Sequence, residues 1–311
     1  MTDITIQKDN FLNAIEMGMG AWAWGDRTIW QFGKGYQEQD IEEAFHAYLA
    51  AGITLVDTAE IYGSGQSEKF LGKFLKNASS RVIIATKFMP FPWRLSSSAL
   101  LHSLDNSMKR IQVDHVDLYQ IHWPFPPHPV EFWVKELAKV VESGKARAAG
   151  VSNYNTAQTM KAIQTLSQYN IPLASNQVEY HLLNREVEKN GLLDICKENG
   201  VRVIAWSPLA KGLLTGKYTR ENPPKGLRSR QAQKVLEKLP TLISLMREIG
   251  QGHGGKNAGQ VALNWVICKG VLPIPGAKNK EQAVQNAGAT GWKLTPEEMS
   301  ALDHASDAFH P

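Results

Sequence analysis

Asp57, Tyr62, Lys87 and His122 would form a proton-delivery device if a fold brought them together. A free phenol has a pKa of about 10 and gives up its proton reluctantly. A lysine ammonium beside it stabilises the phenolate left behind and lowers that pKa. A carboxylate holds the ammonium charged and aimed, and an imidazole can donate to the oxygen that is being protonated. Such a set suits carbonyl reduction, where hydride addition builds negative charge on oxygen and a proton must arrive there. Positioned proton transfer contributes roughly 10²- to 10⁴-fold. The remainder must come from holding a hydride donor against the carbonyl carbon. Singly, each residue has an ordinary explanation: a loop cap for Asp57, a half-buried ring for Tyr62, a snorkelling surface lysine for Lys87 and a satisfied core histidine for His122. Jointly they point to a site, because they fall at or just beyond the ends of consecutive strands.

Those strands belong to a regular alternation. Met17–Trp22 reads as strand one, Thr54–Asp57 as two, Val82–Lys87 as three and Val116–His122 as four. Ala146–Ser152, Leu173–Glu179, Val203–Trp206 and Val271–Ile274 complete eight. Helices fill the intervals. One opens at Asp40, as cap with Glu43 reaching back, and carries Ile41, Ala44, Phe45, Tyr48 and Leu49 at helical spacing up to Gly52. Others are expected at Ser67–Lys76, at Ser98–Arg110, from Pro124–Pro129 to Ser143-Gly144, and near 155–168, 186–199, 258–268 and 280–287. Eight strands each followed by a helix predict one (β/α)8 barrel domain over 1–311, with a doubly wound sheet as the rival. The polar stretch from Ser207 to about Pro240 is a long loop after strand seven, on the catalytic face. Thr295-Pro-Glu-Glu298 opens an extra terminal helix.

Composition excludes several classes. The chain has 311 residues, 43% hydrophobic and 21% charged, with a net charge of +4 and acids and bases interspersed. That is ordinary for a globular protein and too weak a bias for nucleic acid or membrane binding. No apolar run approaches the roughly 18 residues of a membrane span, and residues 1–13 have no signal-peptide core. The cytosol is expected, or a plastid interior if a transit segment has been removed. Cys196 and Cys268 lie in helical stretches and read as unbridged thiols. No metal is expected, because His115 and His122 lack a convincing third ligand.

In a barrel, chemistry comes from the C-terminal strand ends. Those ends are Asp57, Lys87, His122, Ser152-Asn153, Gln177, Trp206 and Pro275-Gly276, with Tyr62 in the loop after strand two. Gly18-Met-Gly-Ala-Trp-Ala23 fits a dinucleotide-binding glycine pattern, but Trp24-Gly25-Asp26 reads as loop and opens no helix, so a Rossmann unit is not expected. Trp24, Trp30, Phe88, Trp93, Trp123 and Phe125 lie in or beside the first rim loops and are candidates for an aromatic substrate wall.

At these residues the sequence resembles the aldo-keto reductases, from Met17 to about Asn286. Val56-Asp-Thr-Ala-Glu-Ile-Tyr-Gly63, Thr86-Lys87, Leu118-Tyr-Gln-Ile-His122 and Gly150-Val-Ser-Asn153 resemble family motifs in the family's order. The likeness leans to plant and cyanobacterial members and to pyridoxal reductases. It implies Tyr62 as acid, Lys87 and Asp57 as its tuning pair, and His122 as orienter. It implies that Ser152, Asn153 and Gln177 hold the nicotinamide carboxamide, that Trp206 stacks under the ring, and that Gly20, Ala21 and Trp22 line that end. Ser207, Pro208, Leu209, Ala210, Lys211, Gly212 and Leu213 would wrap the pyrophosphate. Gly276, Lys278, Gln282, Gln285 and Asn286 would hold the adenosine end. The implied cofactor is NADPH, with Lys278 and Arg228 available to a 2′-phosphate. NADH is the second choice, since some members carry arginine where Gln282 stands. A monomer acting on a small carbonyl compound is expected.

Two other functions compete. Potassium-channel β-subunits share Gly20-Ala-Trp22 and Trp206-Ser-Pro-Leu209 but carry asparagine at the position of His122, so a nicotinamide-sensing subunit is the first alternative. A barrel hydrolase would need two carboxylates, for which Asp57 and Glu60 are the only plausible pair.

Overall fold

Alternate residues of a strand face opposite ways, so each strand of a closed sheet needs one set of side chains for the interior and one for the helices outside. In the computed structural model, which describes residues 10–224 and 235–310, eight parallel strands pair in chain order. They are β1 (Gly18–Gly20), β2 (Leu55–Asp57), β3 (Ile83–Phe88), β4 (Val116–Ile121), β5 (Ala146–Ser152), β6 (Leu173–Glu179), β7 (Arg202–Trp206) and β8 (Leu272–Pro273). The ring closes where the Gly20 N–H donates to the Pro275 carbonyl at 3.2 Å, beside a parallel bridge from Gly20 to Gly276. The structure is a (β/α)8 barrel.

The interior has two layers. Leu55, Ala85, Leu118, Ala174, Ile204 and Leu272 form an apolar cluster with Leu12 and Ile274. Two residues further along β2, β3 and β4 stand Asp57, Lys87 and Gln120, so the interior becomes polar toward the C-terminal ends. The opposite set, including Val56, Ile84, Phe88, Tyr119, Ile121 and Val151, packs into the large outer core with the helices.

Those helices are α1 (Glu38–Ala50), α2 (Gln66–Phe74), α3 (Ser98–Ile111), α4 (Val130–Glu142), α5 (Thr156–Ser167), α6 (Glu186–Lys189), α7 (Leu192–Glu198), α8 (Leu239–Gly252), α9 (Ala258–Cys268), α10 (Lys280–Ala287) and α11 (Pro296–Asp307). None among the described residues is long and apolar enough to cross a membrane. Cys196 on α7 and Cys268 on α9 are unbridged.

Several expectations need correction. The first helix starts earlier: Gln37 is its cap, and Asp40 is the residue reaching back, accepting the Gln37 N–H at 2.7 Å. The 186–199 segment is two helices, because Gly191 at φ +76° interrupts it. Strands one and eight are shorter than their apolar runs. Pro240 is the second residue of helix α8, inside what reads as loop in the sequence; in a first helical turn a proline without its N–H costs nothing. The Phe11–Ala14 turn was also passed over. It plugs the N-terminal end of the barrel with Leu12, anchored by Asn10, whose side-chain amide donates to the Ala174 carbonyl at 2.7 Å. The Thr295 cap of α11 is as expected: its hydroxyl accepts the Glu298 N–H at 3.2 Å, and Glu298 accepts the Thr295 N–H at 2.8 Å.

Closure depends on the absence of a side chain at Gly20. A Cβ there would stand 2.7 Å from the Ile274 carbonyl oxygen. Gly20→Ala should therefore destabilise the protein by about 1–3 kcal/mol. The expected readout is a lower urea midpoint at unchanged m value. An unshifted midpoint would show that the seam is not tightly packed.

Candidate active site

The polar layer is organised around one buried ammonium. Lys87 Nζ donates to Asp57 Oδ1, to the Thr58 carbonyl at 2.9 Å and to the Tyr62 hydroxyl at 3.3 Å. Asp57 Oδ2 accepts from Gln177 Nε2 at 2.8 Å and Gln120 Nε2 at 3.1 Å. Tyr62 follows β2 through a tight turn that needs Gly63 at φ +54°, where a Cβ would meet the Gly25 backbone at 2.8 Å. Its ring stacks on Trp22 at 6.3 Å and meets the His122 ring edge-on at 5.7 Å. The four candidate residues are thus one cluster.

Their ionisation follows from these neighbours. Burial pushes the Tyr62 phenol up; the Lys87 cation pulls it back, Asp57 pushes it up again, and the balance stays above the ordinary tyrosine value. Burial alone would lower Lys87, but Asp57 and the phenol together hold its ammonium above the usual lysine value. His122 is held well below the usual imidazole range, first by burial and then by Lys87, so it is neutral at pH 7. The arrangement can offer a protonated phenol beside a fixed cation and a neutral imidazole.

A cavity of about 350 Å³ opens over this cluster, and Asp57 and Tyr62 contribute to its wall. It runs between the loop after β1, the segment after β7 and the loop after β8. The segment after β7 has left-handed backbone at Ser207, Ala210, Lys211 and Gly212, the kind of winding that makes anion-binding concavities. Lys211, Lys217 and Lys278 line the cavity, and among the described residues Asp57 is the only acid in its lining. A long cleft with a winding cationic segment at its middle and an indole at its inner end fits a dinucleotide.

The family model described as Aldo/keto reductase family matches residues 16–307. The chain belongs to this family. A chloroplastic pyridoxal reductase of Arabidopsis thaliana is 39% identical over 309 residues, covering 95% of this chain and 84% of that protein. A glycerol dehydrogenase from Gluconobacter oxydans superposes with a TM-score of 0.81 at 29% identity, covering 95% of this chain and 92% of that one. An aldo/keto reductase from Klebsiella pneumoniae, in complex with NADP and acetate, superposes with a TM-score of 0.74 at 31% identity, covering 93% and 90%. The protein is accordingly an oxidoreductase of the aldo-keto type, whose general reaction is carbonyl reduction.

Most residues anticipated as cofactor contacts of this aldo-keto reductase reach the cavity. Gly20, Trp22, Trp206, Ser207, Pro208, Leu209, Lys211, Gly212, Gly276, Lys278, Gln282, Gln285 and Asn286 line it. Ala21 and Ala210 are buried, and Leu213 packs on the outer core, so none of their side chains contributes to the wall. Ser152 ends β5, Asn153 follows it and Gln177 lies two residues before the end of β6; they sit beneath the cavity and are not among its lining residues. Ser152 Oγ donates to the Gln177 carbonyl at 2.8 Å, and Asn153 accepts the Trp206 indole N–H at 3.0 Å, which pins that ring. Arg228 lies outside the described residues. Lys278 Nζ donates to the Trp30 carbonyl at 2.9 Å and lies 4.4 Å from the Tyr36 ring centroid. Asn286 donates to the Tyr48 hydroxyl at 2.7 Å, which donates to the Pro275 carbonyl at 3.1 Å, so α1 and α10 jointly fix this part of the cavity wall.

Thr215, Lys217 and Tyr218 line the cavity without having been anticipated. They fold back from the long loop, and nothing in a loop sequence announces that return. The aromatic candidates divide. Trp22 and Trp30 meet edge to face at 5.5 Å on the wall. Neither Trp123 nor Trp93 lines the cavity: Trp123 stacks on Phe125 at 5.7 Å in the loop after β4, and Trp93, 72% exposed, stacks on Phe91 at 4.5 Å in the loop after β3. Two candidates are corrected: Trp24 packs against Phe45 and Phe74 under α1 and α2, and Phe88 packs against Trp133 of α4. Phe88 follows inward-facing Lys87, so it must point outward. Glu60 is also unavailable as a hydrolytic partner for Asp57, because Arg94 binds both its oxygens at 2.6 and 3.0 Å and Ser103 donates at 2.6 Å.

His122 gives the folded protein an acid liability. An unfolded histidine takes up a proton near pH 6.5. The folded imidazole resists protonation to well below that value, so stability is full above about pH 6.5 and declines as pH falls through it. His122→Asn should flatten this decline between about pH 6.5 and 5, read as urea midpoints across pH. An unchanged slope would mean the imidazole is not kept neutral.

Proposed function

We propose that this aldo-keto reductase is an NADPH-dependent aldehyde reductase, with flat aromatic aldehydes such as pyridoxal as its best substrates. The observation that carries the reading is the Tyr62 hydroxyl, 3.3 Å from the Lys87 ammonium in the wall of the cavity. NADPH, when bound, supplies the hydride. Tyr62 then gives its proton to the carbonyl oxygen, Lys87 stabilises the phenolate, Asp57 holds Lys87, and neutral His122 donates to the same oxygen and orients the substrate. Ser152, Asn153, Gln177 and Trp206 would hold the cofactor's nicotinamide end, and the Ser207–Leu213 segment with Lys217 would take the pyrophosphate. Lys278 neutralises the 2′-phosphate that separates NADPH from NADH, so NADH serves as the weaker donor.

The indole walls of Trp22 and Trp30 favour a planar substrate, and the Arabidopsis relative's name supports pyridoxal. That relative's chloroplastic label supports a plastid interior as the place of action, with the cytosol as the alternative. A panel of 4-nitrobenzaldehyde, pyridoxal, methylglyoxal and glyceraldehyde 3-phosphate, followed by NADPH oxidation, tests the ranking. Equal turnover of the aliphatic compounds would remove the aromatic preference.

Tyr62→Phe removes only the donor hydroxyl. Reduction should fall at least about 100-fold while NADPH affinity, read by protein fluorescence, stays that of the wild type. Retained turnover would reassign the acid. Lys278→Met should weaken NADPH about tenfold more than NADH, the order of one hydrogen bond to a charged group. Equal losses for the two cofactors would show that this lysine does not read the phosphate.

A further inference from the structure

Gln120 is fully buried in the polar layer and cannot touch a substrate. Its side-chain amide nevertheless makes contacts on both sides. Nε2 donates to Asp57 Oδ2 at 3.1 Å, and Oε1 accepts from Gln177 Nε2 at 3.3 Å. An ionised carboxylate only accepts, so both glutamines must turn their NH2 groups toward Asp57. The two hydrogens of the Gln177 amide are then committed, one to Asp57 at 2.8 Å and one to Gln120. No described residue is recorded donating to Gln177 Oε1, which leaves that oxygen for an incoming amide N–H.

We propose that Gln120 is a positioning residue of the reduction, anchoring the second oxygen of Asp57 and fixing the Gln177 amide so that its carbonyl oxygen receives the cofactor's carboxamide. This rests on the reductase reading above. Gln120 couples the two halves of the site: the carboxylate that steadies Lys87 and the amide that places the nicotinamide. The charged groups facing it are Asp57 from β2 and Lys87 from β3. Across β5 and β6 it meets Gly150, Ser175 and Gln177, which do not titrate.

Two substitutions separate these contacts. Gln120→Met keeps the volume and removes both. Its kcat with 4-nitrobenzaldehyde should fall about tenfold, the order of one hydrogen bond to a charged group, with weaker NADPH binding by fluorescence and a wild-type circular dichroism spectrum. Gln120→Glu keeps an oxygen for Gln177 but can donate to Asp57 only when protonated. Its kcat should approach the wild type near ~pH 6 and fall away from it toward ~pH 8, with NADPH affinity retained, because a carboxyl beside a second carboxylate holds its proton to unusually high pH. A purely structural role moves melting temperature and leaves this pH-dependent recovery absent. Gln120→Met with wild-type kcat and affinity, or Gln120→Glu with a pH profile parallel to the wild type, would overturn the proposal. If Gln120→Met does not fold, the Gln120→Glu profile decides alone. Wild-type turnover tests the reductase reading separately, since its absence would remove that reading whatever the variants do.

Discussion

Lys87 is a completely buried ammonium with three hydrogens and no capacity to accept. Burying such an ion unpaired costs several kcal/mol, so each hydrogen must find an acceptor and one acceptor must be an anion. Asp57, the Thr58 carbonyl and the Tyr62 hydroxyl are those acceptors. A consequence follows for Tyr62. Its oxygen accepts from the ammonium, so its own hydrogen must point elsewhere, and Tyr62 is part of the cavity wall. The same contact that satisfies a buried charge aims a proton at the space where a carbonyl would lie. Asp57 in turn can hold its charge in the interior because Gln120 and Gln177 satisfy its second oxygen.

The barrel makes this arrangement inexpensive in chain length. A strand with period two needs only one polar residue two positions beyond an apolar one to put charge directly above the packed layer. Leu55 and Asp57, Ala85 and Lys87, and Leu118 and Gln120 repeat that step on three neighbouring strands. The chain reaches the site again through the loops after β1, β7 and β8, which supply the cavity walls. The close contact at Gly20 lets the first and last strands meet, which brings the Trp22 loop and the Gly276 loop into the wall of one cleft.

The sequence made the strand frame readable where β-branched and apolar residues were dense, and β5 and β6 have the anticipated ends. It made the Asp57, Tyr62, Lys87 and His122 cluster readable because each sits at or near a strand end, and barrel topology does the rest. Elements that depend on distant partners were harder. The Phe11–Ala14 plug has no periodicity of its own and is shaped by Asn10 reaching Ala174. Helix α8 carries in its first turn a proline, Pro240, that also suits a loop. Phe88 shows a signal that was present and unused: its parity with Lys87 already placed it on the outer face. Lys217 and Tyr218 carried no such signal, since their place in the wall is set by the return of an irregular segment.

The site rests on an electrostatic coupling between the Tyr62 phenol and the Lys87 ammonium. Carbon NMR of protein labelled at the tyrosine Cζ, with Tyr62 identified by its loss in Tyr62→Phe, measures this without turnover. The account predicts that the Tyr62 resonance keeps its protonated shift past the ordinary phenol range, and that Lys87→Met moves its titration further upward as the neighbouring cation is lost. A Tyr62 signal that titrates near a pKa of about 10 with or without the lysine would contradict it.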